Sequence, residues 1–212
     1  MNRVCFLIDG FNLYHSAREA GRAFGGSGTK WLNIHSLCSQ SLSAIGGEAS
    51  LEGVFYFSAL AHHMTTHDPF VVTRHQAFLD CLQDTGVYVG LARFKPKSVR
   101  CPACGVITTR YEEKETDVAL AAKLLELFLY EQCETAVLVT GDTDLAPAVR
   151  TVQRLRPQAR VLFAFPFGRK NKELQQLAPA SFKFSRQSYL NNQFSDPYVT
   201  ADGRSIDKPA KW

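Results

Sequence analysis

The chain has 212 residues, a formal net charge of +4 and 45% hydrophobic residues. This length fits one medium-sized domain with a short tail or insertion better than two full domains. No stretch approaches the roughly 20 apolar residues that cross a bilayer, and no cleavage site follows the N-terminal apolar run, so neither a membrane span nor a signal peptide is expected. The modest positive charge is compatible with a polyanionic partner but does not require one.

The six cysteines are spread over the whole chain, at positions 5, 38, 81, 101, 104 and 133. Four of them lie within apolar runs, where a thiol usually behaves as a small buried hydrophobe. Because this pattern does not suggest a disulfide framework, it favours a reducing, cytoplasmic location.

Apolar runs separated by turn residues predict strands that alternate with helices. The predicted strands are 4–8, 53–60, 87–94, 136–140 and 160–165, with 182–184 as a further edge strand. The predicted helices are 31–45, 68–83, 117–131, 144–155 and 172–178. Residues 95–110 are expected to be irregular, and the polar chain from Tyr189 onward is expected to be a loosely held tail. The alternation predicts an α/β fold, with a mostly parallel sheet and helices on both faces.

Four aspartates occupy ends of these elements. Asp9 ends the first strand, Asp142 and Asp144 follow the fourth, and Asp117 begins the helix that leads to the fourth strand. Because the carboxyl ends of parallel strands meet at one edge of a sheet, all four are expected there. Mg²⁺ prefers carboxylate and water oxygens, and such an ion can promote cleavage of a phosphodiester. Each aspartate alone also fits a helix cap or a turn, so the residue positions by themselves leave both readings open.

Other polar residues near these ends are candidates for supporting roles. Asn12 lies one helical turn after Asp9, and its amide could donate to a phosphate oxygen or a ligand carboxylate. Thr140 and Thr143 flank Gly141-Asp142 and are candidate hydrogen-bond donors to the acidic residues.

Three motifs carry a resemblance to a known family: IDGFNLYH (8–15), YEEKETDVALA (111–121) and LVTGDTDLAPAV (138–149). They resemble the NYN-domain proteins, in particular the LabA-like branch of the PIN-like nucleases, over residues 1–187, which leaves 188–212 as a polar tail. The resemblance implies a Rossmann-like PIN fold and a Mg²⁺- or Mn²⁺-dependent endoribonuclease. By position it implies metal-site roles for Asp9, Asp117, Asp142 and Asp144 and a place near the phosphate for Asn12, with Glu113 as a weaker candidate.

The segment Cys101-Pro-Ala-Cys104-Gly has the two-residue gap and the following glycine of a zinc knuckle. One such pair supplies half of a tetrahedral structural zinc site. His62, His63 and His67 are candidates to complete it. A plain reduced pair and a redox-active dithiol are the alternatives.

Basic residues cluster in two places, and both are expected near the acidic edge. The candidates for binding the phosphates of a nucleic acid are Arg93, Lys95, Lys97, Arg100, Arg169 and Lys170. Single basic side chains are more often solvated surface residues. The aromatic residues Phe11, Tyr14, Phe94 and Phe167 could stack on bases, although such side chains more often belong to the core.

The sequence therefore predicts a metal-dependent ribonuclease that hydrolyses single-stranded or flexible RNA. The alternative is a module that binds RNA or protein, keeps the acids as a metal-stabilised site and has little turnover. DNA stays open as a substrate, since nothing in the sequence identifies a reader of the 2′-hydroxyl group.

Overall fold

The computed structural model describes residues 1–23 and 28–212. Its strands are β1 (Asn2–Asp9), β2 (Ala49–Ala59), β3 (Tyr88–Arg100), β4 (Ile107–Lys114), β5 (Thr135–Val139), β6 (Arg160–Phe165), β7 (Ser181–Lys183), β8 (Tyr198–Val199) and β9 (Ser205–Ile206). Its α-helices are α1 (Gly10–Arg22), α2 (Ile34–Gln40), α3 (Val71–Asp84), α4 (Thr116–Leu129), α5 (Ala146–Leu155), α6 (Lys172–Leu177) and α7 (Arg186–Asn191). Short 3-10 helices lie at Ser41–Ala44, His62–Met64 and Thr143–Leu145. Within the described ranges, no helix is long and apolar enough to span a membrane.

One seven-stranded sheet has the order β4-β3-β2-β1-β5-β6-β7. Neighbouring strands are parallel throughout, except for the antiparallel pair β3 and β4. From β1 the chain moves outward through β2 and β3 to β4 and then returns to β5 on the other side of β1. The strand order therefore reverses between β1 and β5, the kind of point at which open α/β sheets bind ligands beyond the carboxyl ends of their strands. The predicted α/β fold with a mostly parallel sheet is confirmed.

Helices cover both faces of this sheet, and β1 shows how. Successive side chains of a strand point to opposite faces. Val4, Phe6 and Ile8 pack in one core with residues of α1, α2 and α3, whereas Cys5 and Leu7 pack in a second core with residues of α4 and α5. The unbroken apolar run of β1 is explained by this burial on both faces.

Helix α1 is missing from the sequence prediction. Its buried face consists mainly of small residues, which give a weak apolar periodicity: Gly10, Leu13, Ser16, Ala17, Ala20 and Gly21. Small residues allow a close approach to the sheet, since a Cβ atom at Gly10 would lie 2.5 Å from the carbonyl oxygen of Phe57. Asp9 caps the helix by accepting a hydrogen bond of 2.9 Å from the backbone N–H of Asn12, so the end of β1 and the start of α1 are held together.

The prediction of an irregular segment at 95–110 is wrong. Strands β3 and β4 form a long antiparallel hairpin, whose register runs from Arg93 opposite Lys114 to Arg100 opposite Ile107. A tight turn closes it, in which the N–H of Cys101 donates to the carbonyl of Val106. Most of the hairpin beyond Phe94 is exposed on both faces, so it lacks the alternation of apolar and polar residues that predicts a strand.

The segment after Tyr189 is not loosely held. Tyr189 is fully buried, and Phe194 packs in the same core as Trp31. At the C-terminus the ring of Trp212 lies 4.8 Å from that of Phe78, between ring centroids. A few aromatic anchors among polar residues hold this segment, and such sparse anchors leave no periodic signal in the sequence. The domain boundary placed after residue 187 stays a prediction.

Candidate metal centre

Three carboxylates meet at the carboxyl edge of the sheet. Asp117, Asp142 and Asp144 each offer an oxygen, and these atoms lie within 4.8 Å of one another. Asp117 is in the first turn of α4, while Asp142 follows β5 and caps the 3-10 helix at Thr143–Leu145 by accepting from the N–H of Asp144 at 3.0 Å. Three like charges at this spacing repel one another, and a hard divalent cation is the partner that suits them.

Asp9 lies beside this group rather than within it. The side chain is 6% exposed and accepts hydrogen bonds of 2.9 Å from the N–H of Asn12 and from Oγ1 of Thr140. Burial raises the pKa of Asp9 to about 6, with smaller contributions from the charges of Asp117 and Asp142. Asp9 is therefore an electrostatic part of the acidic site, although it is held by its own donors.

Glu113 is a fifth acid of the site. It stands on β4 opposite Phe94, and its half-buried carboxyl group has an Oε1 atom that finds no hydrogen-bond partner. Burial raises the pKa of Glu113 to about 7, with smaller contributions from the charges of Asp9 and Asp117. The sequence indicated Glu113 only as a weaker candidate within a motif, because the strands of the hairpin that carries it were not predicted.

The Gly141 peptide forms hydrogen bonds to side chains from two other parts of the chain. Its N–H donates to Oδ1 of Asn12 at 3.2 Å, and its carbonyl accepts from Nδ2 of Asn171 at 3.2 Å. A Cβ atom at Gly141 would lie 2.3 Å from the carbonyl oxygen of Arg169, so only glycine fits this close approach. Thr140 donates to Asp9 and accepts from the N–H of Asp142 at 3.0 Å.

Asn171 is a site-supporting residue that sequence reasoning missed. It also caps α6, since its Oδ1 accepts from the N–H groups of Glu173 and Leu174. One side chain thus joins a helix start to the Gly141 loop. In the sequence this asparagine has the signature of an ordinary cap, so no signal distinguished it.

Three predicted phosphate-binding residues of the hairpin form ion pairs with neighbouring acidic residues. Arg93 and Lys95 pair with Glu115, at 2.7 and 3.8 Å, and Lys97 pairs with Glu112 at 2.5 Å. Residues directly opposite in an antiparallel pair share a face, so these three basic side chains lie on the face that also carries Glu112, whereas Glu113 lies on the other. Their contact with a nucleic acid stays a prediction.

The other basic candidates are more scattered. Arg169 pairs with Glu19 at 3.3 Å, and its backbone touches the Gly141 loop. Lys170 is exposed beside it, and Arg100 is exposed near the tip of the hairpin.

An open groove borders the site on the hairpin side. It has a volume of about 500 Å³, and its aromatic lining residues are His62, His63, Phe94 and Tyr111. His63 stacks on Tyr111 with ring centroids 4.3 Å apart, and Phe94 meets Phe11 edge-on at 5.7 Å. Phe11 follows Asp9 by two residues, so the groove adjoins the acidic edge. The other two stacking candidates lie elsewhere, with Tyr14 near Trp212 and Phe167 packed against the core.

The two cysteines of the CxxC motif lie in the turn of the hairpin. Cys101 is partly exposed and Cys104 is exposed, and both are free thiols. Hydrogen bonds from the backbone N–H groups of Cys104 and Ala103 lower the pKa of Cys101. In the part of the chain that the structure describes, no histidine, acid or third cysteine joins them in a metal-binding group, so His62, His63 and His67 do not complete the pair.

A mostly parallel sheet with an acidic cluster at its reversal point defines a PIN-like α/β domain. The family model of the NYN domain matches residues 3–185, and the chain belongs to this family. The NYN domain is part of the PIN-like nuclease superfamily, which implies a nucleic acid as the substrate class and a divalent metal as the usual cofactor. The expected family membership is thereby confirmed.

Two solved structures are similar to this chain. A Vibrio parahaemolyticus protein of unknown function is 20% identical, with a TM-score of 0.56 over 87% of this chain and 93% of that one, and this likeness supports the fold. MurG from Acinetobacter baumannii is 9% identical, with a TM-score of 0.39 over 88% of this chain and 43% of that one, a score too low to show a shared fold. None of the curated proteins matches the chain.

Proposed function

We propose that this protein is a divalent-metal-dependent endoribonuclease. The observation that carries the proposal is the convergence of Asp117, Asp142 and Asp144 within 4.8 Å at the carboxyl edge. Membership of a nuclease superfamily supplies the expected class of reaction. Flexible or single-stranded RNA suits the open groove beside the site, where exposed rings offer stacking surfaces to unpaired bases.

The donor set fits Mg²⁺ or Mn²⁺. All of its ligand atoms are carboxylate oxygens, which hard cations prefer over nitrogen or sulfur. Burial and the neighbouring carboxylates raise the pKa values of Asp9 and Glu113, and Oε1 of Glu113 has no hydrogen-bond partner among the described residues, so a bound cation would stabilise the ionised forms of these acids. Asp117, Asp142 and Asp144 would hold the ion directly.

The roles of the remaining residues follow from their contacts. When bound, the cation neutralises charge on the phosphoryl group and lowers the pKa of a water molecule. Asp9 orients Thr140 and caps α1, while Asn12 holds Gly141 and keeps its amide group at the edge of the site. Glu113 has an oxygen without a hydrogen-bond partner and a pKa raised by burial and by the charges of Asp9 and Asp117, so it is assigned to accept the proton of the attacking water. The products would carry a 5′-phosphate and a 3′-hydroxyl group.

Cleavage of a labelled single-stranded RNA in Mg²⁺ or Mn²⁺ tests the proposal. We expect Asp142→Asn to abolish metal-dependent cutting, while its side-chain oxygen can still cap the 3-10 helix and preserve the fold. Asp207→Asn is the matched control, since Asp207 is exposed and lies near Pro209, away from the carboxylates.

Two outcomes would change the assignment. RNA that stays intact in every metal, with binding retained by the parent and by Asp142→Asn, would favour the binding module instead. A single-stranded DNA of the same sequence, cut faster than the RNA, would keep the metal site but make the protein a deoxyribonuclease.

A further inference from the structure

The exposed cysteine pair has no part in the proposed reaction. Cys101 and Cys104 lie in the turn of the β3–β4 hairpin, whereas Glu113 lies near the other end of β4, seven residues after Val106. Both thiols are free, and the other four cysteines of the chain are buried. Both thiols of the pair are therefore accessible to a ligand from solvent.

The turn has the local geometry of a zinc knuckle. The N–H of Cys101 donates to Val106, and the N–H of Gly105 donates to the carbonyl of Cys101. Gly105 has φ of 74°, a left-handed conformation that suits glycine.

This knuckle supplies two ligands where structural zinc takes four. Among the described residues, the carboxylate cluster at the sheet edge is the one group of three or more potential ligands, so nothing in this part of the chain completes the cysteine pair. A four-ligand site would therefore take its other two ligands from outside the chain. A second copy offers an identical pair, and two such pairs give the four-cysteine set of a closed structural site.

We propose that the hairpin tips of two copies of this chain bind one zinc ion through Cys101 and Cys104 of each copy, and thereby join the copies into a dimer. The proposal is independent of the nuclease function.

Charge supports a second copy as the partner. Arg93, Lys95 and Lys97 are paired with Glu115 and Glu112 further along the hairpin, whereas Arg100 lies directly before Cys101, so two tips bring like charges together. Zn²⁺ bound by four thiolates carries a net charge of −2, which offsets that repulsion. The guanidinium group of Arg100 lies beside Gly105, with nitrogens 3.7 and 3.8 Å from the position of a Cβ atom there, so each copy brings a cation next to the anionic centre.

Exposed apolar residues support the same partner. Val106 and Ile107 directly follow the knuckle and are 56% and 67% exposed. Two tips joined through a zinc ion would bring these side chains together around the two-fold axis and remove apolar surface from water. A zinc ion completed by water or by one distant side chain would leave that surface exposed.

The zinc content and the mass of the purified protein, kept reduced and supplied with Zn²⁺, test the proposal directly. We expect one zinc ion per two chains and the mass of a dimer, and we expect a chelator to release both the ion and the second copy. Cys101→Ser/Cys104→Ser should be monomeric without zinc, whereas Ser98→Ala, on the same hairpin with both thiols kept, should match the parent. Replacement by Co²⁺ should give the absorption of four thiolate ligands.

Several results would overturn the proposal. They are one zinc ion per chain in a monomer, no zinc uptake by the fully reduced parent, or a dimer that persists after chelation. The mass and zinc content of the parent protein, with and without chelator, are sufficient to test the proposal. The test therefore does not depend on whether the double variant folds. Circular dichroism of the double variant establishes whether its fold is intact.

Discussion

The carboxyl edge of the sheet and the tip of the hairpin each gather potential metal ligands, but they do so in opposite ways. At the edge, Asp117, Asp142 and Asp144 come from different elements, and hydrogen bonds through Thr140 and Gly141 fix the loop that carries two of them. At the tip, two cysteines of one turn are fixed only by that turn. A site assembled by the whole fold can be complete within one chain, whereas a site built on one turn is half a site and depends on a partner.

The largest expected effect separates the two regions by activity. Asp117→Asn removes one of the three converging carboxylates, and we expect RNA cleavage to fall by more than about 100-fold, beyond the range found for residues that only support metal ligands. Cys101→Ser/Cys104→Ser should cleave a short RNA at close to the parent rate. Initial rates at saturating Mn²⁺ measure both. A large loss in the cysteine variant would show that the tip serves the reaction.

The next effect concerns the free energy of unfolding in EDTA. Asp9 has a folded pKa of about 6 against a usual 3.8, so the folded state holds the proton longer and loses stability as pH rises through that window. Asp9→Asn lacks this titration, and relative to the parent it should gain about 3 kcal/mol between pH 4 and pH 6, at about 1.4 kcal/mol per pKa unit.

Denaturant unfolding of parent and variant at several pH values measures this difference. Burial lowers the pKa of His75 to about 4, so the titration of His75 makes the folded state more stable as pH rises, opposite to Asp9. Because both proteins contain His75, the difference between parent and variant removes this contribution. Saturating Mg²⁺ should remove most of the difference at pH 7 if the cation neutralises the cluster. A pH-independent difference in EDTA would contradict the raised pKa of Asp9.

A smaller effect distinguishes a helix cap that serves the site from one that does not. Asn171 caps α6 and also binds the carbonyl of Gly141, whereas Asn33 caps α2 by accepting from the N–H of Ser36 at 2.9 Å. Alanine at either position should cost about 1 kcal/mol of stability. Only Asn171→Ala should also slow RNA cleavage or raise its metal requirement. Equal activities of the two variants would reduce Asn171 to an ordinary cap.

Strand ends were the part of the site that the sequence made predictable. Asp9 and Asp142 follow apolar runs, and the rule that parallel strands share a carboxyl edge is enough to bring them to one place. The same reasoning placed Asp117 and Asp144 there. In the structure, carboxylate oxygens of Asp117, Asp142 and Asp144 lie within 4.8 Å of one another, and Asp9 lies beside them.

The elements that the sequence did not predict lack a clear alternation of apolar and polar residues. Helix α1 packs through glycine, alanine and serine, so its pattern is weak, and the helix predicted at 31–45 begins only after the Asn33 cap. The hairpin is exposed on both faces, so neither its strands nor the orientation of Glu113 towards the acids followed from periodicity. Contacts such as Asn171 with Gly141 join residues 30 positions apart and have no local signature.

The smallest expected effect tests the face of the hairpin that carries Lys97 and Glu112. Lys97 forms an exposed ion pair with Glu112, so Lys97→Ala should change stability by no more than about 0.5 kcal/mol. If Lys97 contacts RNA phosphates, the slope of log affinity against log salt should fall by about 0.7 for the single strand. Titrations at several NaCl concentrations with Asp142→Asn, which binds without cutting, measure that slope. Arg160→Ala is the control, because Arg160 is the first residue of β6 and lies at the amino ends of the parallel strands, opposite the carboxylates. An unchanged slope for Lys97→Ala would remove Lys97 from the RNA contacts, and its charge would then serve only the ion pair with Glu112.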